Sequence, residues 1–426
     1  MHKPCLLYAD DEGNIYDWPG LEMAGRSGWQ YRRLKEKDWM PLPPGSELFA
    51  LPRRLPLGWN AARKRFQTLL EDPRSPRKTL RAVAAFVAPA HTQIYSAAYQ
   101  TQEDAPLLPL FAYTAVGWKD GAFVAACMRT DPDERQDHKN FNPGTIERNA
   151  RRRMRLESSN RLLVHLGKCA LTFACPAARN LFMNRWEAPL PSSPVCNARC
   201  LGCISLQERE DLCATQDRIA FVPTPDEICG VAVPHLQKAR RAVVSFGQGC
   251  EGEPLLQGET LARAIKMMRE STSRGTINLN TNGSLPGTVE HLCQSGLDSI
   301  RVSLNSARPD FYHAYFKPRG YSFEDVCESI TRVKKAGGFA SINYFVLPGF
   351  TDTEEEFHAL AALLEKTGLD LIQMRNLNMD PEWYLKEMAQ AEKSRPLGIR
   401  RLARKISKSF PHVRLGYFNP CLDPHA

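Results

Sequence analysis

Three cysteines in the segment Pro194-Val195-Cys196-Asn197-Ala198-Arg199-Cys200-Leu201-Gly202-Cys203 stand at C-x₃-C-x₂-C spacing. Cysteine thiolate is the usual protein ligand of an iron–sulfur cube, normally four to a cube. Three on one short loop can therefore hold a cube while one iron is left without a protein ligand. The same triplet is compatible with a zinc knuckle or with three buried thiols. A structural zinc site, however, closes on four ligands, commonly as paired C-x₂₋₄-C units far apart in sequence. Here the next donors, Cys213 and Cys229, lie in a differently patterned segment.

The chain that must position this loop has 426 residues, with 24% charged and 43% hydrophobic residues and a formal net charge of +9. That length suits two or three domains of ordinary globular composition, about one per 100–200 residues. The modest positive charge allows anionic partners without requiring them; a dedicated nucleic-acid binder usually shows a stronger, patterned excess. No run approaches the ~18 consecutive apolar residues of a spanning helix, and the apolar run after Met1 is too short for a signal peptide. The 13 cysteines form no evenly spaced framework. A reducing cytoplasmic setting without membrane contact is expected, where clustered cysteines bind metal rather than pair.

From about Pro191 the pattern is one of short β-rich runs alternating with capped helices. Strands are expected at Ala242–Phe246, Thr276–Asn280, Ser299–Leu304, Ser341–Val346 and Leu371–Arg375, with a sixth feeding the cysteine loop. Thr224-Pro225-Asp226-Glu227 and Ser322-Phe323-Glu324-Asp325 read as capping boxes, and Thr353 to Lys366 as a helix stopped by Gly368. Alternation of this kind argues for a parallel α/β sheet. Six units are too few for a closed eight-fold barrel, so a partial (β/α)6 TIM-like barrel is expected. Chemistry in barrels gathers at the carboxyl ends of strands. Four of the five visible strands do end in polar runs, around Glu251-Gly252-Glu253, Asn280-Thr281-Asn282, Ser303-Leu304-Asn305 and Arg375-Asn376-Leu377-Asn378.

Residues 1–185 read as a separate N-terminal mixed α+β module that selects substrate or caps the barrel; 186–390 form the barrel and 391–426 a C-terminal extension. Within the module, Ala82–Val87, Gln93–Tyr99, Phe111–Trp118 and Ala122–Cys127 read as strands, the last two joined at Lys119-Asp120-Gly121. The stretch carrying Pro41, Pro43, Pro44, Pro52 and Pro56 is expected to be irregular. A basic helical run follows, with five arginines between Arg148 and Arg155. They can grip phosphates or simply form a solvated face; no aromatic residues interleave to make a stacking platform.

Taken together, these motifs resemble the radical S-adenosylmethionine (radical SAM) superfamily over roughly Pro191 to Asp380. Cys196, Cys200 and Cys203 are similar to its cluster motif, and Glu251-Gly252-Glu253-Pro254 to its Gly-Gly-Glu-Pro motif. The resemblance implies a [4Fe-4S] cluster and S-adenosylmethionine as cofactors. It places Glu253 on the methionine ammonium, Ser303 and Asn305 on the ribose, and Val346 to Gly349 beside the adenine. It further implies that the cofactor's amine and carboxylate chelate the open iron. One electron, from a donor such as a ferredoxin or flavodoxin, then cleaves a carbon–sulfur bond to give a 5′-deoxyadenosyl radical. Two departures stand out: Gly202 replaces a residue often aromatic in the superfamily, and Glu251 replaces the first glycine of the acid motif.

Further candidates are Cys250 as a hydrogen-atom donor or auxiliary-cluster ligand, Lys317 and Arg319 for the methionine carboxylate, and Arg375, Asn376 and Asn378 for substrate. Each has a plainer reading as a buried thiol, surface charges or turn residues. Cys169, Cys175, Cys293 and Cys327 read as core, with a second metal site at the first two as the alternative. Cys421 alone in the tail counts against auxiliary clusters there. The substrate (a small molecule, RNA or protein) is not legible, nor is any residue of the catalytic step itself. The competing reading is a non-catalytic iron–sulfur redox sensor or nucleic-acid-binding protein using the Arg148–Arg155 run.

Overall fold

In the computed structural model, which describes residues 3–74, 79–388 and 395–423, seven parallel strands follow one another in sequence order. They span Arg185–Pro189, Arg240–Phe246, Thr276–Thr281, Ser299–Leu304, Phe339–Val346, Leu371–Asn376 and Arg414–Gly416. The first and last do not pair, so the barrel is open along one seam. The first six are the strands expected from the sequence. The seventh is new and comes from the C-terminal extension, whose expected start at residue 391 lies outside the described residues.

Period-2 alternation explains why these segments are strands of this kind. One set of side chains, including Val244, Ile277, Val302, Ile342 and Ile372, is buried in a single apolar cluster with the surrounding helices. The other set is polar and faces the lumen: Ser245, Asn278, Asn280, Arg301, Ser303, Asn343, Gln373 and Arg375. Hydrogen bonds between strands that are not neighbours show this, as where Arg301 of the fourth strand donates to Gln373 of the sixth (3.4 Å). The expected helices are present at Pro225–Lys238, Phe323–Lys335 and Glu354–Thr367. Thr224 with Glu227, and Ser322 with Asp325, close reciprocal capping boxes. Gly368 ends the third helix in the left-handed region (φ 65°).

Residues 5–125 contribute a twelve-stranded antiparallel sheet. Asp120 and Gly121, both at positive φ (49° and 80°), make the two-residue turn that joins Thr114–Lys119 to Ala122–Ala125, as the Asp-Gly signal predicts. The proline-punctuated stretch is not irregular. It holds strands Met40–Pro41, Glu47–Leu51 and Arg54–Asn60, its prolines falling at strand ends or where no ladder N–H is needed. The expected strand at 93–99 is broken into short pieces, His91–Gln93, Ser96–Ala97 and Tyr99–Thr101. Helices Pro143–Leu156, Arg161–Leu171 and Pro176–Phe182 were grouped by sequence with this module. They bury Ala150, Leu162, Leu166 and Phe182 in the same apolar cluster as the barrel.

The antiparallel domain docks at the carboxyl ends of the fifth and sixth barrel strands. Gln93 donates through Nε2 to the Val346 carbonyl (2.9 Å), and its N–H donates to Asn376 Oδ1 (2.8 Å). Asn376 returns Nδ2 to the His91 carbonyl (3.1 Å). Arg54 pairs with Asp380 (2.9 Å), both side chains being almost fully buried, and Arg26 pairs with Glu382 (2.6 Å). The domain is thereby held beside the mouth where barrel chemistry resides. The tail threads into the lumen after the seventh strand. Asn419 Nδ2 reaches Glu187 (2.7 Å), Ser245 (3.5 Å) and Asn280 (3.2 Å), and its Oδ1 accepts from Gln373 (2.8 Å). One side chain therefore ties the first, second, third and sixth strands together from within. Among the described residues no helix is long and apolar enough to cross a membrane.

Candidate functional site

The cysteine loop leaves the first strand and is gripped from three sides. Leu201 N–H donates to the Tyr315 carbonyl (3.0 Å) and Arg199 N–H to the Phe316 carbonyl (2.9 Å), both in the helix after the fourth strand. Arg319 N–H donates to the Asn197 carbonyl (2.9 Å). Asn197 itself meets the third strand's exit, accepting from Asn282 Nδ2 (2.8 Å) and donating to Ser284 Oγ (2.9 Å). The loop therefore sits over the mouth, with the polar strand ends around it. Cys196, Cys200 and Cys203 each keep some accessible surface there.

Among the described residues, the one His/Cys/Asp/Glu group whose ligand atoms all lie within 4.8 Å of one another lies elsewhere. The three loop thiols therefore do not all lie within 4.8 Å of one another. Burial pushes the Cys196 thiol up to about 11, with Glu253 adding to the effect. Burial also raises Cys200 well above its ordinary value, the neighbouring thiols Cys203 and Cys196 adding to it. Ligation to a metal would reverse this by taking the sulfurs as thiolates. Arg218 supports negative charge at the site, its guanidinium donating to Cys203 Sγ (3.4 Å).

The acid motif packs directly on this loop. Gly252 N–H donates to the Ser193 carbonyl (2.7 Å) and Glu253 N–H to the Val195 carbonyl (2.8 Å). A Cβ at residue 252 would lie 1.9 Å from the Val195 carbonyl oxygen, so only glycine allows this approach. Glu253 is buried. Its carboxylate accepts from Thr281 Oγ1 (2.6 Å), Leu255 N–H (3.0 Å) and Asn282 N–H (2.8 Å), and burial pushes its pKa up to about 7 against these donors. Glu251, whose role the sequence left open, is turned the other way. It accepts from Ser192 N–H and Oγ, Ser193 N–H and Gln248 N–H. It thus pins the exit of the first strand to that of the second.

The missing aromatic at Gly202 is replaced in space. A Cβ there would meet Tyr315 Oη at 2.7 Å, so the tyrosine occupies what glycine vacates. Tyr315 sits on the helix Pro309–Phe316, among Phe345, Phe316 and Tyr384. Nothing in the sequence beside Gly202 points to Tyr315; the aromatic density of Phe311, Tyr312, Tyr315 and Phe316 just after Asn305 was the available signal.

Ser303 lines the lumen and retains accessible surface. Asn305 is fully buried, its amide donating to the Phe311 carbonyl (2.9 Å) and Tyr384 Oη (3.1 Å). Lys317 and Arg319 are exposed. Asn376 is committed to docking the antiparallel domain rather than to a ligand, and Asp380 both caps the helix Pro381–Glu387 and pairs with Arg54. Arg375 donates to the Tyr417 carbonyl (3.2 Å) while its guanidinium lies over the Tyr417 ring. In the basic helix, Arg151 and Arg153 pair with Glu147 and Glu157 of their own or the adjoining turn, which leaves less charge free for phosphate.

Among the buried polar atoms that find no partner are Arg301 Nε, Asn305 Oδ1 and Asn343 Oδ1 of the barrel, and Gln93 Oε1 of the docked domain. Buried polar groups are nearly always satisfied. The unpartnered ones on the fourth and fifth strands and on the segment docked beside them are free to pair with water or with a bound molecule.

Residues 190–363 match the Radical SAM superfamily. The chain is 28% identical over 143 residues to the dual-specificity RNA methyltransferase RlmN of Xylella fastidiosa, covering 32% of this chain and 34% of that protein. It is 26% identical over 202 residues to the GTP 3′,8-cyclase of Streptomyces coelicolor, covering 46% and 55%. The chain thus spans about a third to a half of the length of these curated relatives. Among solved structures, Streptococcus suis SuiB bound to the precursor peptide SuiA aligns with a TM-score of 0.38 at 16% identity, covering 57% and 53%.

Proposed function

Because the chain belongs to the radical SAM superfamily of enzymes, which use a [4Fe-4S] cluster and S-adenosylmethionine, we propose that Cys196, Cys200 and Cys203 hold that cluster at the barrel mouth. Glu253 would accept from the cofactor's ammonium, and Ser303 and Asn305 would approach its ribose. Bound together, cluster and cofactor supply a 5′-deoxyadenosyl radical once a ferredoxin- or flavodoxin-like donor delivers an electron. The chain's own residues orient the cofactor, keep water from it and present the substrate. What carries this reading is the junction of the two motifs, in which Gly252 and Glu253 donate their backbone N–H groups into the cysteine loop.

The unpartnered atoms of Arg301, Asn343 and Gln93 support a polar substrate, read in part by the antiparallel domain through Gln93. Fixed donors and acceptors awaiting a ligand are how a mostly pre-formed pocket selects its guest. The test is anaerobic reconstitution with iron and sulfide, then assay of 5′-deoxyadenosine from S-adenosylmethionine with a chemical reductant. The intact chain should form it and Cys200→Ala should not. Zinc in place of iron and sulfide at the triplet, or equal product from both chains, would sink the proposal.

A further inference from the structure

A second cluster of metal-ligating side chains lies away from the cysteine triplet. Helix Arg161–Leu171 carries His165 and Cys169 one turn apart on one face. The loop after the second barrel strand brings Cys250 to them. The ligand atoms of His165, Cys169 and Cys250 lie within 4.8 Å of one another, the one such group among the described residues. His165 Nε2 stands 3.5 Å from Cys169 Sγ. A zinc ion bound at about 2.3 Å to sulfur and about 2.0–2.1 Å to nitrogen, at tetrahedral angles, requires that edge to be about 3.6 Å. The spacing is therefore already that of two ligands sharing one ion. It is also too tight for the sulfurs of an iron–sulfur cube.

The surroundings suit such an ion. Cys169 and Cys250 are buried at 3% and 4% exposure, whereas His165 is half-buried and leaves a path from solvent. Cys175 borders the site, its N–H donating to the Cys169 carbonyl (3.1 Å). Thiolate and imidazole together favour zinc over harder divalent ions. We infer that His165, Cys169 and Cys250 form a zinc-binding site, distinct from the cluster loop, that ties the helix at 161–171 to the loop carrying Glu251 and Glu253. On binding, the two thiols release their protons to solvent and the neutral imidazole ligates through Nε2. The fourth corner is left to a solvent molecule on the His165 side. The inference stands apart from the reading of the triplet, since it shares no ligand with it.

The full chain, purified anaerobically, is loaded with stoichiometric zinc, and its metals are counted by mass spectrometry. About one zinc per chain is expected, both in the unaltered chain and in Cys200→Ala, which disables only the triplet. Cys169→Ser and His165→Gln should each weaken zinc binding by more than about tenfold while iron loading at the triplet persists. Cobalt in place of zinc should give sulfur-to-metal charge-transfer absorption that Cys169→Ser abolishes. If Cys169→Ser does not fold, as judged by circular dichroism, the more exposed His165→Gln decides. Zinc absent from the loaded chain, or zinc content and cobalt spectrum unchanged by both substitutions, overturns the inference.

Discussion

Replacing Glu253 by glutamine tests the junction on which the functional reading rests. The carboxylate accepts three hydrogen bonds, from Thr281 Oγ1, Leu255 N–H and Asn282 N–H. An amide of the same shape must turn its NH₂ toward at least one of these donors. A buried donor left unpaired costs about 1–3 kcal/mol of stability. If Glu253 also receives the cofactor's ammonium, removing its charge forfeits a charge-assisted bond of about 1.5–3 kcal/mol. At 1.4 kcal/mol per decade this weakens S-adenosylmethionine binding by roughly 10- to 150-fold. The pH dependence gives a second handle. Burial lifts the pKa from 4.5 to about 7, so the folded chain holds this proton more tightly than the unfolded one. Its contribution to stability is therefore fully present below about 4.5 and is lost as pH rises through about 7. Over that window it amounts to about 3 kcal/mol at 1.36 kcal/mol per unit. Cofactor affinity must run the other way, falling about tenfold per unit below pH 7, and the glutamine variant must lack that slope. Titration calorimetry of the iron-loaded chain between pH 6 and 8 measures both. A folded, iron-loaded glutamine variant that binds within about twofold of the parent, with the same pH profile, refutes the assignment.

Two further outcomes follow from close contacts. Gly252→Ala should force the Val195 carbonyl and the acid motif apart, since its Cβ would lie 1.9 Å from that oxygen; iron loading and cofactor binding should fall together, which iron analysis and calorimetry would show. Arg54→Met leaves Asp380 buried without its cation and should destabilise the chain by about 3–5 kcal/mol. Adding Asp380→Asn should recover part of that loss, and a denaturant double-mutant cycle showing simple additivity would contradict the coupling.

The barrel was legible because period-2 runs, capping boxes and stop glycines agreed with one another at each step. Thr224, Ser322 and Thr353 cap the helices expected of them. The antiparallel domain was harder to read, since its strands are short and its prolines sit at edges, where local signals say turn although the ladder continues past them. The site was legible where chemistry is contiguous in sequence, as at Cys196–Cys203 and Glu251–Pro254. It was hidden where space rather than sequence joins residues. Nothing adjacent to Gly202 announces that Tyr315 fills its place, and nothing near Cys169 announces Cys250. Asn376 looked like a rim residue because side-chain type was visible and direction was not; the partner that claims it comes from His91–Gln93, far back in the chain.

Strands buried on both faces usually read as near-continuous apolar runs, yet here most inward residues of the third to sixth strands are polar, Phe339, Phe345 and Leu371 being the exceptions. Such a lining is costly unless each group is paired. Around the tail the pairing is internal: Asn419 answers Glu187, Ser245, Asn280 and Gln373 at once. Beside them, on the register neighbours of Asn280 and Gln373, Arg301 Nε and Asn343 Oδ1 go unanswered. There too the inward residues of the fourth, fifth and sixth strands regain accessible surface. The lining is thus tied together through Asn419 yet leaves these two polar atoms free on the strands beside it. Substitutions at Asn419 should then change stability, and substitutions at Arg301 and Asn343 should change which molecule is accepted.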